Sequence, residues 1–122
     1  MEYADYDYYI DDYKGSLSFS LFSSNILKAS KQIDKNINVT LTQEIIDILS
    51  EKDQDKLQYA TCEMVDLVYA YNTITTTASG LTSLSIDGVS KTYKSAEELK
   101  RELGIKQREI VEGLPQELMR YI

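Results

Sequence analysis

Residues 53–75, DQDKLQYATCEMVDLVYAYNTIT, carry the longest sustained helical periodicity in the chain. Leu57, Ala60, Met64, Leu67, Val68, Tyr71 and Ile74 recur at steps of three and four, the spacing that lines one face of an α-helix. Asp53 is placed to cap the start through its carboxylate, and about 22 residues at 1.5 Å each predict a rod of roughly 33 Å. Such a rod spans a domain of this size. A second apolar run, Cys62, Val65 and Tyr69, widens the stripe beyond the ~100° that a one-sided surface helix needs. The helix is therefore expected to meet neighbours on more than one side, Cys62, Val65 and Tyr69 being where a neighbouring helix, from this chain or the next subunit, would lie.

Upstream, YADYDYYIDDY at 3–13 sets Tyr6, Tyr9, Ile10 and Tyr13 at helical spacing among four aspartates, which predicts a short amphipathic helix. Half of the ten tyrosines lie here, and tyrosine joins a large apolar ring to a hydroxyl that tolerates a wet rim. Tyr6, Tyr9 and Tyr13 either pack on their own domain or meet another subunit. A second helix is expected from about Ser18 or Ser20 to Asn36, with Phe19, Phe22, Ile26, Ala29 and Ile33 inward and Lys28, Lys31 and Lys35 outward. Thr40 with Gln43 fits a capping box, starting a short helix through Ile45 and Leu49.

Downstream, residues 76–80 read as a small polar loop, followed by LTSLSI, DG and VSKTY. Asp87-Gly88 suits a two-residue turn that needs positive φ, and the flanking alternation predicts a β-hairpin over 82–93 with Ile86, Asp87, Gly88 and Val89 at its tip. A lone hairpin is marginal in water, so it must lean on the helices or pair an edge with another chain. Ser95 with Glu98 repeats the capping box, and Gly104 is placed as a C-terminal stop, with a further turn or two expected before Gly113. Pro115 then opens QELMRYI, whose Leu118, Met119, Tyr121 and Ile122 are apolar and are expected to be held against the core or a partner.

The 122 residues predict one domain, mainly α: a small helical bundle around one long central helix, with a projecting β-hairpin and a C-terminal helical arm. Residues 1–94 make the helical part with the hairpin, and 95–122 the arm, within that same domain. No run is apolar enough to cross a bilayer and the start is acidic where a signal peptide is basic, so the reading is of a soluble protein made inside a cell. Residues 1–66 hold 13 acidic and 6 basic side chains, and residues 67–122 hold 7 of each, so the whole net charge of −7 sits in the first half. That balance argues against sequence-specific duplex binding, which draws its affinity from phosphate neutralisation. The chain has no His, which removes the commonest general base and metal ligand, and Cys62 reads as a small packing hydrophobe. There is no glycine-rich phosphate loop, and adjacent acidic pairs such as Asp11-Asp12 point in different directions on a helix. The expectation is a non-enzymatic interaction domain with no cofactor and no metal.

Four stretches read together resemble the head-tail connector proteins of tailed bacteriophages, also called adaptor or head-completion proteins: YADYDYYIDDYKGSLS, FSLFSSNILKASKQID, LQYATCEMVDLVYAY and LTSLSIDGVSKTYKS. In the second, Ala29-Ser30 followed by Ile33-Asp34 is similar to an A-S-x-x-I-D helix signature; the third contains an A-x-C-E segment. The chain departs from that pattern at NVTLTQ after Ile37 and in its ending, LPQELMRYI. The resemblance implies a bundle that forms a ring of about twelve copies beneath the portal of the phage neck, within the virion, after synthesis in the bacterial cytoplasm. Its implied partners are the portal protein, further copies of itself, and a stopper or other neck or tail protein. DNA would only pass through the channel, unrecognised by sequence, and no membrane is involved. The C-terminal arm, with Leu114, Pro115, Leu118, Met119, Tyr121 and Ile122, would engage the portal, and the acidic half would suit a channel lining past which DNA slides. The alternative is a small acidic helical regulatory domain that binds a partner protein through the same helices.

Overall fold

The computed structural model describes residues 2–37, 40–76, 78, 80–86, 89–93, 95–115 and 118, with the backbone alone at 75–76, 84–86 and 89–91. Among these, five helices and three strands follow in the order α1 (Tyr6–Asp11), α2 (Phe19–Ile37), α3 (Gln43–Asp47), α4 (Glu51–Asn72), β1 (Thr75–Thr76), β2 (Thr82–Ile86), β3 (Val89–Tyr93) and α5 (Ala96–Glu112). The fold is mainly α with a small antiparallel hairpin, as the periodicities predict.

The long helix begins earlier than expected. Ser50, not Asp53, is its N-cap: the Ser50 hydroxyl accepts from the Asp53 N–H at 3.2 Å, while Glu51 and Asp53 put negative charge beside the positive end of the helix dipole. Gln54 secures the junction by donating its side-chain amide to the Ile46 and Leu49 carbonyls at 3.0 and 3.1 Å, which satisfies acceptors at the end of α3. The cap of α3 is likewise Thr42, accepting from Ile45 N–H, rather than Thr40. Both shifts have one cause: several residues nearby have capping chemistry, and tertiary contacts choose among them.

Helix α4 is the axis of the core, packed most extensively on α2 and next on α5. From α2 come Phe22, Ile26, Ala29, Ile33 and Ile37; from α4, Leu57, Ala60, Met64, Val65 and Leu67; from α5, Leu99, Leu103 and Ile110. Polar groups inside this core are paired. Asn25, buried on α2, donates to the Leu21 carbonyl and accepts from the Asn72 amide of α4, and Thr61 returns its hydroxyl to the Leu57 carbonyl one turn back.

The hairpin gains a strand that the sequence pattern did not reveal, the two-residue β1, giving the order β1-β2-β3. The register pairs Thr82 with Tyr93, Leu84 with Lys91 and Ile86 with Val89; Asp87 and Gly88 at the tip lie outside the described residues. At its base the sheet leans on the helices, β2 on α4 and β3 on α5, with Thr82 buried.

Two glycines behave oppositely. Gly104 does not stop a helix: α5 runs straight through it to Glu112 and is capped at Gly113, whose N–H reaches the Glu109, Ile110 and Val111 carbonyls. A Cβ at Gly104 meets nothing within 4 Å, whereas a Cβ at Gly15 lands 2.0 Å from the ring of Tyr9, which is wholly buried. Gly104→Ala is expected to stabilise the fold by about 1 kcal/mol, the helix-propensity difference, raising Tm by about 4 °C. Gly15→Ala should lower Tm and loosen the segment before α2, read as faster amide exchange there. Equal thermal shifts from both substitutions would overturn the assignment.

Candidate interaction surface

The N-terminal segment is tied down by its tyrosines, each with a partner on a helix. The backbone N–H of Tyr3 donates to the Ser30 hydroxyl at 3.3 Å, and its hydroxyl donates to Asp34 and accepts from the Leu41 N–H at 3.2 Å. Tyr8 donates to Asp55 at 2.9 Å. Tyr9 and Tyr13 share Asp66, donating to its two oxygens at 2.7 and 2.8 Å, and the Tyr9 oxygen also accepts from Leu17 N–H at 3.1 Å. Tyr6 donates to the Leu17 carbonyl at 3.0 Å and sets its ring edge-on against Phe19 and Phe22.

The acceptors Asp55 and Asp66 fall on one line of α4. Asp55, Tyr59, Cys62 and Asp66 are spaced four, three and four residues apart, and the rings of Tyr13 and Tyr59 meet edge-on at 5.0 Å along it. The extra width of the long-helix stripe is thus covered from within the chain.

Of the two expectations for these positions, packing within the chain describes what they meet here. Tyr9, Cys62 and Val65 are completely buried in the chain's own core, and Tyr6, Tyr13 and Tyr69 are half-buried against it, because α1 folds back over α2 and α4. Burial first, then the neighbouring Asp66, pushes the Cys62 thiol up to about 12, so it stays protonated and inert at neutral pH. The same holds for the arm. Leu114 and Pro115 are buried and Leu118 is completely so, with Leu118 N–H bonded to the Pro115 carbonyl, so this part of the chain packs on its own core. Met119, Tyr121 and Ile122 lie outside the described residues.

Two concavities stand out among the described residues. An acidic cleft of about 330 Å³ lies between α4 and α5, where Glu63, Asp66, Glu102 and Glu109 surround Lys106. Burial, then Asp66 and Glu109, raises the carboxyl of half-buried Glu63 above its ordinary 4.5. Among the described residues no three His, Cys, Asp or Glu side chains converge to hold a metal ion. The second is an open trough of about 620 Å³ floored by α4, with α2 and α5 as its walls. Lys28, Lys31 and Lys35 come from α2, Met64, Leu67, Val68 and Tyr71 from α4, and Gln107 from α5. Those lysines read from the sequence only as an outward face; their alignment over an apolar stripe of another helix depends on how α2 and α4 pack.

No helix among the described residues is long and apolar enough to cross a membrane. No protein-family model matches the chain, and no curated protein or solved structure matches it at a significant level.

The tyrosine bonds predict a late alkaline transition. Burial, reinforced by Asp34, Asp55 and Asp66 respectively, raises the pKa values of Tyr3, Tyr8 and Tyr13 well above the ordinary 10. Their contribution to stability is complete below pH 10 and is lost as pH rises through the folded values. Absorbance at 295 nm should therefore show tyrosines that ionise only together with unfolding; ionisation of every tyrosine near pH 10 in the folded chain would contradict the bonds. Glu63 has the same sign at lower pH: its raised folded pKa favours the folded state below 4.5, and that advantage disappears as pH rises through the folded value. Glu63→Gln should raise Tm at pH 7 and leave it unchanged at pH 4, which calorimetry at the two pH values checks.

Proposed function

We propose that this chain is a structural head-tail connector of a tailed-bacteriophage neck, non-enzymatic, assembling with its own copies into a ring beneath the portal. What carries the reading is that the four stretches resembling the family occupy successive parts of one frame: the tyrosine-tethered N-terminal segment, α2, α4 and the β2–β3 hairpin. The A-S-x-x-I-D stretch has a physical role there, since Ser30 and Asp34 hold Tyr3.

The sheet supplies a means of joining copies. β3 has β2 on one side and no further strand on the other among the described residues, so its outer edge offers backbone donors and acceptors to a strand of the next copy. With Leu114, Pro115 and Leu118 closing the core, docking on the portal falls to other surfaces. The acidic first half suits a channel wall that repels DNA and so lets it slide.

The alternative, a small acidic regulatory domain that grips a partner protein, is favoured by one observation, the open trough between α2 and α5. Location and stoichiometry separate the two. Quantitative mass spectrometry of purified phage particles should find the chain at about twelve copies per particle, as one ring requires, and the isolated chain should bind purified portal rings. Its absence from particles that contain the portal would sink the connector reading in favour of the regulator.

A further inference from the structure

The trough has the shape of a helical bundle with one helix missing. α4 forms the floor, α2 and α5 stand on either side, and Met64, Leu67, Val68 and Tyr71 run along the floor at i, i+3, i+4 and i+7. Met64 and Leu67 are buried by their neighbours, but Val68 is only half-buried and Tyr71 is 38% exposed, so the far end of the stripe is open to water. A ladder of apolar side chains at this spacing is what an amphipathic helix needs opposite its own apolar face.

The charge around the trough says what the helix must carry. The chain has 20 acidic and 13 basic residues, yet among the described residues the trough is lined by three lysines and no carboxylate. Lys28, Lys31 and Lys35 are exposed at i, i+3 and i+7 of α2, so their Cα atoms span about 10 Å along the rim. Carboxylates spaced one and two turns apart on a partner helix would meet them in register. A nucleic acid fits less well: three cations must work against a net charge of −7, and the floor offers aliphatic side chains and one tyrosine in place of a row of stacking rings.

We propose that the trough between α2 and α5 is a docking site for an acidic amphipathic helix of a partner protein. Leu- or Ile-like side chains of that helix pack on Val68 and Tyr71, and its Asp or Glu side chains pair with Lys28, Lys31 and Lys35. The site is independent of the connector reading, because it rests on charge and packing within one chain.

The probe is a fluorescein-labelled synthetic helix with Leu on one face and Glu on its flanks, compared by anisotropy with the same helix carrying Lys in place of Glu. The acidic helix should bind and the basic one should not. Binding should weaken at least ~10-fold in Lys28→Glu/Lys31→Glu/Lys35→Glu, where three exposed ion pairs become like-charge contacts, with far-UV circular dichroism verifying the fold. On the unaltered chain, about 0.5 M NaCl, which shortens screening to roughly 4 Å, should weaken it as well. Equal binding of both helices, indifference to salt, or unchanged affinity in the triple variant would overturn the proposal. So would tighter binding of a single-stranded oligonucleotide than of the acidic helix. Sedimentation supplies the last outcome: self-association abolished by the same three substitutions would assign the trough to a second copy of the chain and overturn the partner helix.

Discussion

One carboxylate, Asp66 on the long helix, accepts hydrogen bonds from Tyr9 of a six-residue helix and from Tyr13 just after it, both more than fifty positions away. The rest of the N-terminal arrangement depends on it. A helix of two turns has no stability of its own in water, so α1 exists only as far as its side chains are held elsewhere. Tyr9 meets the requirement three ways at once: its ring is buried, its hydroxyl donates to Asp66, and its oxygen accepts from Leu17 N–H as the chain turns toward α2. Gly15 is then obligatory, because that turn passes so close to the ring that no side chain fits. Hydrogen bonds to a charged acceptor contribute roughly 1.5–3 kcal/mol each, enough for three such carboxylates to fasten a short segment.

The clasp also changes the meaning of the acidic first half. Asp34, Asp55 and Asp66 are acceptors for Tyr3, Tyr8 and Tyr9 with Tyr13, while Asp5 caps α1 through the Tyr8 N–H. A good part of the negative charge is therefore structural. The charge left to face a channel or a solvent is that of exposed residues such as Glu2, Asp7, Asp11 and Asp12.

Elements set by local periodicity were legible from the residues: α2, the body of α4, the hairpin pairing and the start of α5 lie where spacing places them. What depended on distant partners was not. The choice of Ser50 over Asp53 as cap goes with the turn that Gln54 ties, and the continuation of α5 through Gly104 requires only that nothing there demands a break. The tyrosines could be recognised as a contact surface, but their acceptors lie 31 to 57 residues further along the chain, beyond the reach of any periodicity. Tyr3 went unnoticed for the same reason, although it is as much a part of the core as Tyr9.

Opposite faces of the long helix meet different surroundings. At 100° per residue, Asp55, Tyr59, Cys62 and Asp66 point in one direction, and Met64, Leu67, Val68 and Tyr71 point roughly opposite. The first line is covered by the N-terminal tyrosines, and α2 and α5 pack on the flanks between. So wide an apolar stripe is met from within the chain by α1, α2, α5 and the strand β2. The Val68 and Tyr71 end of the opposite line, bordered by lysines, still faces water, as Asp55 and Tyr59 do on the first line.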